Sequence, residues 1–229
     1  MMQVLAMHGW AGHAGAWSHW RKRFEDGGAR WSSGDRGYGG DEAVAPAWSP
    51  GTGRKLLIAH SLGLHLLPAA VLGEADAVVL LGSFSAFVPS GRARRAVAAA
   101  LQGMQAALGT DQELTMLERF LEKAASPLAR SALPPNPLLQ GLTSLGRQRL
   151  QRDLEHLRQC RTLPSGWPGA VPVLVVQGQR DAVVHTASAQ QLIDELGNQP
   201  LTLHCGPDWG HALLTPPVLS VVQQWLGAL

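Results

Sequence analysis

Five short runs dominated by Val, Leu, Ile and Ala recur along the chain, and stretches with helical spacing separate most of them. The runs are Gln3–Met7, Lys55–Ala59, Ala77–Leu81, Val171–Gln177 and Leu201–Cys205. Continuous apolar runs of this length suit strands covered on both faces, which is the condition of a parallel sheet. A weaker strand fits near Ala29–Ser33. Helical patterns fit His13–Phe24, Leu62–Leu72, Thr186–Leu196 and Pro217–Leu226. Strand–helix alternation predicts a parallel α/β sheet with right-handed crossovers. There is no internal repeat. The stretch Gly27–Gly53 is rich in Gly, Pro and Ser and reads as loop with at most one short element.

The alternation stops between Pro89 and Gly169. Here Ala96–Leu108, Glu113–Ala125 and Leu145–Gln159 read as amphipathic helices, with Pro127, Pro134, Pro135 and Pro137 at the joins. A helical block inserted between two strands reads as a cap. The expected division is a core of residues 1–88 and 166–229 with a cap of residues 89–165. Charge follows the same division. Pro89–Arg161 carries 11 Lys+Arg against 6 Asp+Glu, and the remainder 8 against 11, although the whole chain is only +2. A basic cap on an acidic body favours an acidic partner. Nucleic acid fits poorly, since the total is small and no binding module is recognisable.

At 229 residues, 45% apolar and 16% charged, the chain has the composition of a folded domain. Two cysteines, Cys160 and Cys205, make no disulfide framework and have no metal-ligand spacing around them. No apolar run approaches the roughly 18 residues of a membrane span, and Met1–His8 has no basic region of a signal peptide. The expectation is a soluble cytoplasmic protein with no membrane association.

The run Lys55–Ala59 passes directly into His60-Ser61-Leu62-Gly63 and then a helical pattern. This is the strand–turn–helix context of a nucleophile elbow, with Ala59 where glycine is usual. A serine hydroxyl needs a base to take its proton and an acid to orient that base. Asp181 follows the strand Val171–Gln177, and His211 follows Leu201–Cys205, which is the chain order such a triad requires. Asp208, three residues from His211, and Asp194, on a helix, are poorer placements for the acid. The first strand ends at His8-Gly9-Trp10, so the backbone N–H groups of Trp10 and Leu62 are the candidate oxyanion donors. The other histidines, among them His13, His19, His60 and His65, show no metal-ligand spacing. Neither a metal nor another cofactor is expected.

On these segments the chain resembles α/β-hydrolase esterases, and among them the pimeloyl-[acyl-carrier protein] methyl ester esterases of biotin synthesis. The stretch LAMHGWAGHAGAW from Leu5 to Trp17 resembles that family's first strand and oxyanion loop, and AHSLG its nucleophile turn. Glu118-Arg119-Phe120-Leu121 is similar to a run in its lid, while QGQRDAVV and WGHA resemble its acid and base segments. No hairpin precedes Gln3 and the segment between Asp35 and Gly53 is short. The implied architecture is therefore a reduced α/β-hydrolase fold of about six mostly parallel strands with an inserted helical cap.

The resemblance implies a methyl ester reaching Ser61 through an apolar channel, with an acyl-carrier protein at the substrate's other end. Trp10, Phe84, Phe87 and Phe120 are the candidate pocket residues, whereas Met104 and Leu117 read rather as the cap's own core. Arg147, Arg149 and Arg152 are expected to form one carrier-protein patch, and Arg92, Arg94 and Arg95 a second. Two alternatives share these residues. One is a carboxylesterase or acyl thioesterase acting on small free substrates; the other is a binding protein on a hydrolase scaffold.

Overall fold

Lengths of uninterrupted apolar sequence become strands in the computed structural model, which describes residues 1–40 and 42–229. They are β1 (Gln3–Met7), β2 (Arg30–Gly34), β3 (Lys55–His60), β4 (Ala77–Leu81), β5 (Val173–Gly178) and β6 (Leu201–Gly206). All pair in parallel, in the order β2-β1-β3-β4-β5-β6. The helices are α1 (Ser18–Asp26), α2 (Ala69–Gly73), α3 (Ala93–Ala107), α4 (Glu113–Ala125), α5 (Ser144–Gln159), α6 (Thr186–Glu195) and α7 (Pro216–Gly227).

Strand side chains alternate between two apolar layers. Val4, Ala6, Leu56, Ile58, Val79 and Leu81 pack with Trp17, Trp20 and Phe24 at α1 and with Val218, Val222 and Trp225 of α7. Their neighbours Leu5, Met7, Leu57, Val78, Leu80 and Val175 pack with Leu72, Leu192 and Leu196 on the opposite face. This two-sided burial is why the central strands read as unbroken apolar runs rather than alternating ones.

Two helical expectations are corrected. The pattern Leu62–Leu72 is not one helix. A 3-10 segment, Ser61–Leu66, ends where Leu67 turns extended, and α2 starts after Pro68. Proline has no N–H for the helix ladder and pushes the residue before it out of the helical region. The pattern His13–Phe24 likewise opens as a 3-10 turn at Ala14–Trp17 before α1.

Between β4 and β5 the described elements are all helical, and they form a third apolar cluster. Leu101, Leu117, Leu150, Leu154 and Leu157 meet Trp10, Tyr38 and Leu62 from the sheet side. Among the polar ties between the two is a buried clamp. Asp153 sits on the apolar face of α5 and is 2% exposed. It accepts two hydrogen bonds from Arg36, at Nε and Nη2, each 2.7 Å, and one from the Tyr38 hydroxyl at 2.6 Å. A planar guanidinium matches a carboxylate in this bidentate way, and such charge-assisted bonds are strong. Gly146 lets α5 come close: a Cβ there would stand 2.2 Å from the Tyr38 carbonyl oxygen.

Removing the Asp153 carboxylate leaves a guanidinium and a hydroxyl without their shared acceptor. Asp153→Ala is expected to lower folding stability by about 3 kcal/mol, measured by chemical denaturation.

Candidate active site

The chain leaves β1 toward β2 on one side and returns as β3 on the other, so the carboxyl ends of β1 and β3 flank a switch point of the sheet. Crevices form there because successive connections diverge to opposite sides. Met7 pairs with Ala59 across this boundary, which puts His8-Gly9-Trp10 beside His60-Ser61-Leu62.

Ser61 has φ 55, a left-handed conformation for a non-glycine residue. Such a residue costs of order 1–3 kcal/mol and persists only where surroundings over-determine it. The surroundings are two glycines. A Cβ on Gly63 would lie 2.3 Å from the Met7 carbonyl oxygen, and one on Gly9 would lie 2.7 Å from Ser61 Cβ and 3.2 Å from its Oγ. The Gly9–Trp10 peptide therefore passes alongside the serine hydroxyl, and Leu62 follows it directly in the chain.

Asp181 and His211 stand on the loops after β5 and β6. His211 Nδ1 and Asp181 Oδ2 are 2.8 Å apart, with both side chains about 95% buried. Burial opposes ionisation of Asp181, but His211 and the N–H groups of Val183 and Val184 outweigh it and hold the carboxyl below its usual range. A carboxylate only accepts, so Nδ1 carries the proton and Nε2 offers a lone pair. His211 and Ser61 face one cavity. Gly82, at the end of β4 with φ 52, keeps that space open: a Cβ there would be 3.3 Å from His211 Nδ1. Asp181, rather than Asp208 or Asp194, is the carboxylate on His211.

Several residues that sequence reasoning passed over frame this group. His60 Nε2 donates to the His211 carbonyl at 2.9 Å, and the two rings lie 4.8 Å apart. Burial and the neighbouring His211 push the His60 pKa down to about 3, so it is a neutral strut. His65 donates to the Phe84 carbonyl at 2.8 Å, and burial pushes its pKa down to about 4. Asp35 braces the loop after β1 by accepting from the N–H groups of Ala14 and Gly37, each at 2.7 Å. Burial opposes its ionisation too, but these bonds and His8 bring its pKa to about 2. The legible signal was Asp153, a carboxylate inside an apolar helical stripe; its partners lie too far off in sequence to be named.

Two cavities meet at Ser61. One, of about 680 Å³, is lined by His8, Ser61, His211 and the segments 130–136 and 212–215. The other, of about 570 Å³, lies between α3 and α4 and is lined by Phe87, Ala100, Met104 and Met116 among others. Among the described residues, only Trp10, Ser61 and Phe120 line both. The Trp10 and Phe120 rings meet edge to face, 4.8 Å between centroids at 89°. Trp10 is also tied by its indole N–H to the Leu150 carbonyl of α5 at 3.0 Å.

Of the expected pocket residues, Trp10, Phe87 and Phe120 line cavities, and Phe84 does not. Phe84 is fully buried between His65 and Phe87. Met104 lines the second cavity rather than belonging to the core alone, while Leu117 is core. The basic residues also separate. Arg147 is held by Glu113, with Nη2 2.9 Å from Oε1, and Arg149 donates to the Gly37 carbonyl at 2.6 Å. They are therefore engaged within the chain instead of sharing an open patch with Arg152. Arg92, Arg94, Arg95 and Arg152 are exposed.

No protein-family model matches the chain, and no curated protein does. Solved structures do. An esterase from Exiguobacterium antarcticum is 20% identical, with TM-score 0.68 over 100% of this chain and 91% of that one. A thermophilic esterase from Thermogutta terrifontis, with malate bound, is 15% identical at TM-score 0.66, over 100% and 90%. The chain has the α/β-hydrolase fold. The bottromycin epimerase BotH, bound to bottromycin A2, is also similar: 12% identical, TM-score 0.62, over 100% and 90%. One fold thus accompanies different chemistries, and function must come from the site. Among the described residues no helix is long and apolar enough to cross a membrane, and no group of three or more His, Cys, Asp or Glu could hold a metal ion.

Both His60 and His65 are neutral in the folded chain down to low pH but titrate near 6.5 when unfolded. A lowered histidine pKa gives stability that is complete above 6.5 and is lost as pH falls toward the folded value. Unfolding free energy is therefore expected to drop by about 1.4 kcal/mol per pH unit for each histidine between roughly pH 6 and 4. His65→Gln should remove one proton's share of that slope in denaturation curves across this range.

Proposed function

We propose that the chain is a serine carboxylesterase in which Ser61 is the nucleophile, His211 the general base and Asp181 its orienting acid. The observation that carries this reading is the buried Asp181–His211 hydrogen bond facing the same cavity as a serine held at positive φ. His211 Nε2 takes the Ser61 proton as Oγ bonds to the ester carbonyl carbon. The N–H groups of Trp10 and Leu62 receive the oxyanion, each donor contributing about 3 kcal/mol of transition-state stabilisation. The carbon–alkoxy bond then breaks, and the alkoxide leaves as an alcohol with the proton from His211. Water, deprotonated by the same base, attacks the acyl-enzyme and releases the acid and Ser61.

The substrate we propose is the methyl ester of a pimeloyl group attached to an acyl-carrier protein, with residues 89–165 as the cap above the serine. The sequence resemblance at Trp10 and Glu118–Leu121 motivates it. The cavity between α3 and α4 supports it, because its wall suits an acyl chain and Arg119 and Lys123 stand on its rim. Arg92, Arg94 and Arg95 open the helix whose Ala96 and Val97 line that cavity, and no ion pair among the described residues holds them. The carrier protein is the proposed partner of this face.

Ser61→Ala is expected to reduce ester hydrolysis at least about 10⁴-fold and to abolish labelling by a fluorophosphonate probe; undiminished hydrolysis refutes the assignment. Reversing charge at Arg94 and Arg95 together is expected to lower the ratio of kcat/KM on the carrier-bound methyl ester to that on a free methyl ester. An unchanged ratio refutes the carrier face.

A further inference from the structure

An ester has two arms, and they diverge from the carbonyl carbon that the serine attacks. The two cavities diverge from Ser61 in the same sense, divided by the Trp10–Phe120 pair. One observation says which arm goes where. His211 lines the larger cavity and not the smaller. The group that departs must take its proton from His211, within hydrogen-bond reach, so it lies on the His211 side. The acyl arm then takes the cavity between α3 and α4.

The size of the leaving-group side is far beyond what methanol requires. Its volume is about 680 Å³, within the roughly 300–1,000 Å³ range of sites that enclose drug-sized ligands, whereas one water takes about 30 Å³ of liquid. Its wall is mainly apolar, with Ala124, Pro135, Leu139, Leu213 and Leu214. Asn136 is a fixed part of that wall. Its amide donates to the Ala11 carbonyl at 2.9 Å, and its oxygen accepts from the Leu138 N–H at 3.1 Å. The cation on this side, Arg130, lies 3.7 Å from Glu118. These features suit an uncharged apolar occupant.

We propose that this chamber is a leaving-group site for apolar and aromatic alcohols, so that on a free acyl group, which lacks the carrier's contacts, the chain hydrolyses esters of bulky alcohols more efficiently than the methyl ester. The inference rests on Ser61 and His211 acting as described above. The chemical steps are unchanged: the carbon–alkoxy bond breaks and the larger alkoxide leaves as an alcohol with the His211 proton.

The test holds the acyl group fixed and varies the alcohol through methanol, butanol, hexanol and 2-phenylethanol, whose leaving tendencies are similar. The expected result is a rise in kcat/KM of about tenfold or more from methyl to butyl, continuing to the larger alcohols. Two cavity-filling variants assign the sides. Ala132→Trp, at an exposed position on the larger cavity, should cut the hexyl-to-methyl preference about tenfold. Gly103→Phe, at a position lining the smaller cavity where a Cβ meets nothing within 4 Å, should instead cut the preference for long over short acyl groups. A flat or falling alcohol series overturns the proposal, as does Ala132→Trp acting on acyl length. Fluorophosphonate labelling of Ser61 is run beside the series. Labelling with a flat series means the chamber assignment fails while the serine assignment stands; hydrolysis that survives Ser61→Ala means the serine assignment fails.

Discussion

Two pieces of backbone meet at the carboxyl ends of β1 and β3 with no room for a side chain between them, and the site is hung on that contact. Gly63 backs onto the Met7 carbonyl, and Gly9 lies against Ser61. This crowding fixes the left-handed turn at Ser61 and presents the hydroxyl beside the loop that follows β1. Parallel pairing in register delivers both strand ends to the same level. The loops after β5 and β6 then need only bring Asp181 and His211 to that level. Gly178 allows it, since a Cβ there would strike the Trp209 carbonyl oxygen at 2.3 Å.

Much of this was legible in the sequence because it is written locally. Buried parallel strands leave continuous apolar runs, so Gln3–Met7 and Ala77–Leu81 were readable to the residue. Strand-end chemistry is local too, which is why Ser61, Asp181 and His211 stood out. What was not legible depends on contacts between distant segments. The Arg36–Tyr38–Asp153 clamp spans more than a hundred residues. Phe84 follows a strand near the serine just as Phe87 does, yet His65 stacks on it and removes it from the cavity. The break at Pro68 was local and readable, but the apolar spacing of Leu62–Leu72 masked it.

Charge shows the same division. Several acids of the helical segment between β4 and β5 are committed within the chain: Glu113 to Arg147, Glu118 to Arg130, Asp153 to Arg36 and Glu155 to Arg158. Counting residues cannot separate these engaged arginines from exposed ones. Exposed cations outside these pairs include Arg92, Arg94 and Arg95 at the start of α3, Arg119 and Lys123 on the cavity between α3 and α4, and Arg152 on α5.

Trp10 gives the architecture a property of its own. Its main chain runs beside the serine, while its indole is bonded to a carbonyl of α5 and its ring, packed against Phe120, lines both cavities. Loop and helix are thus coupled through one rigid side chain. Swapping the helical segment for one from another protein of the same fold would remove the Leu150 carbonyl and release the loop after β1. Grafted helical segments would then displace the backbone beside Ser61 as well as reshape the cavities, unless the incoming helix supplies an acceptor at the same place.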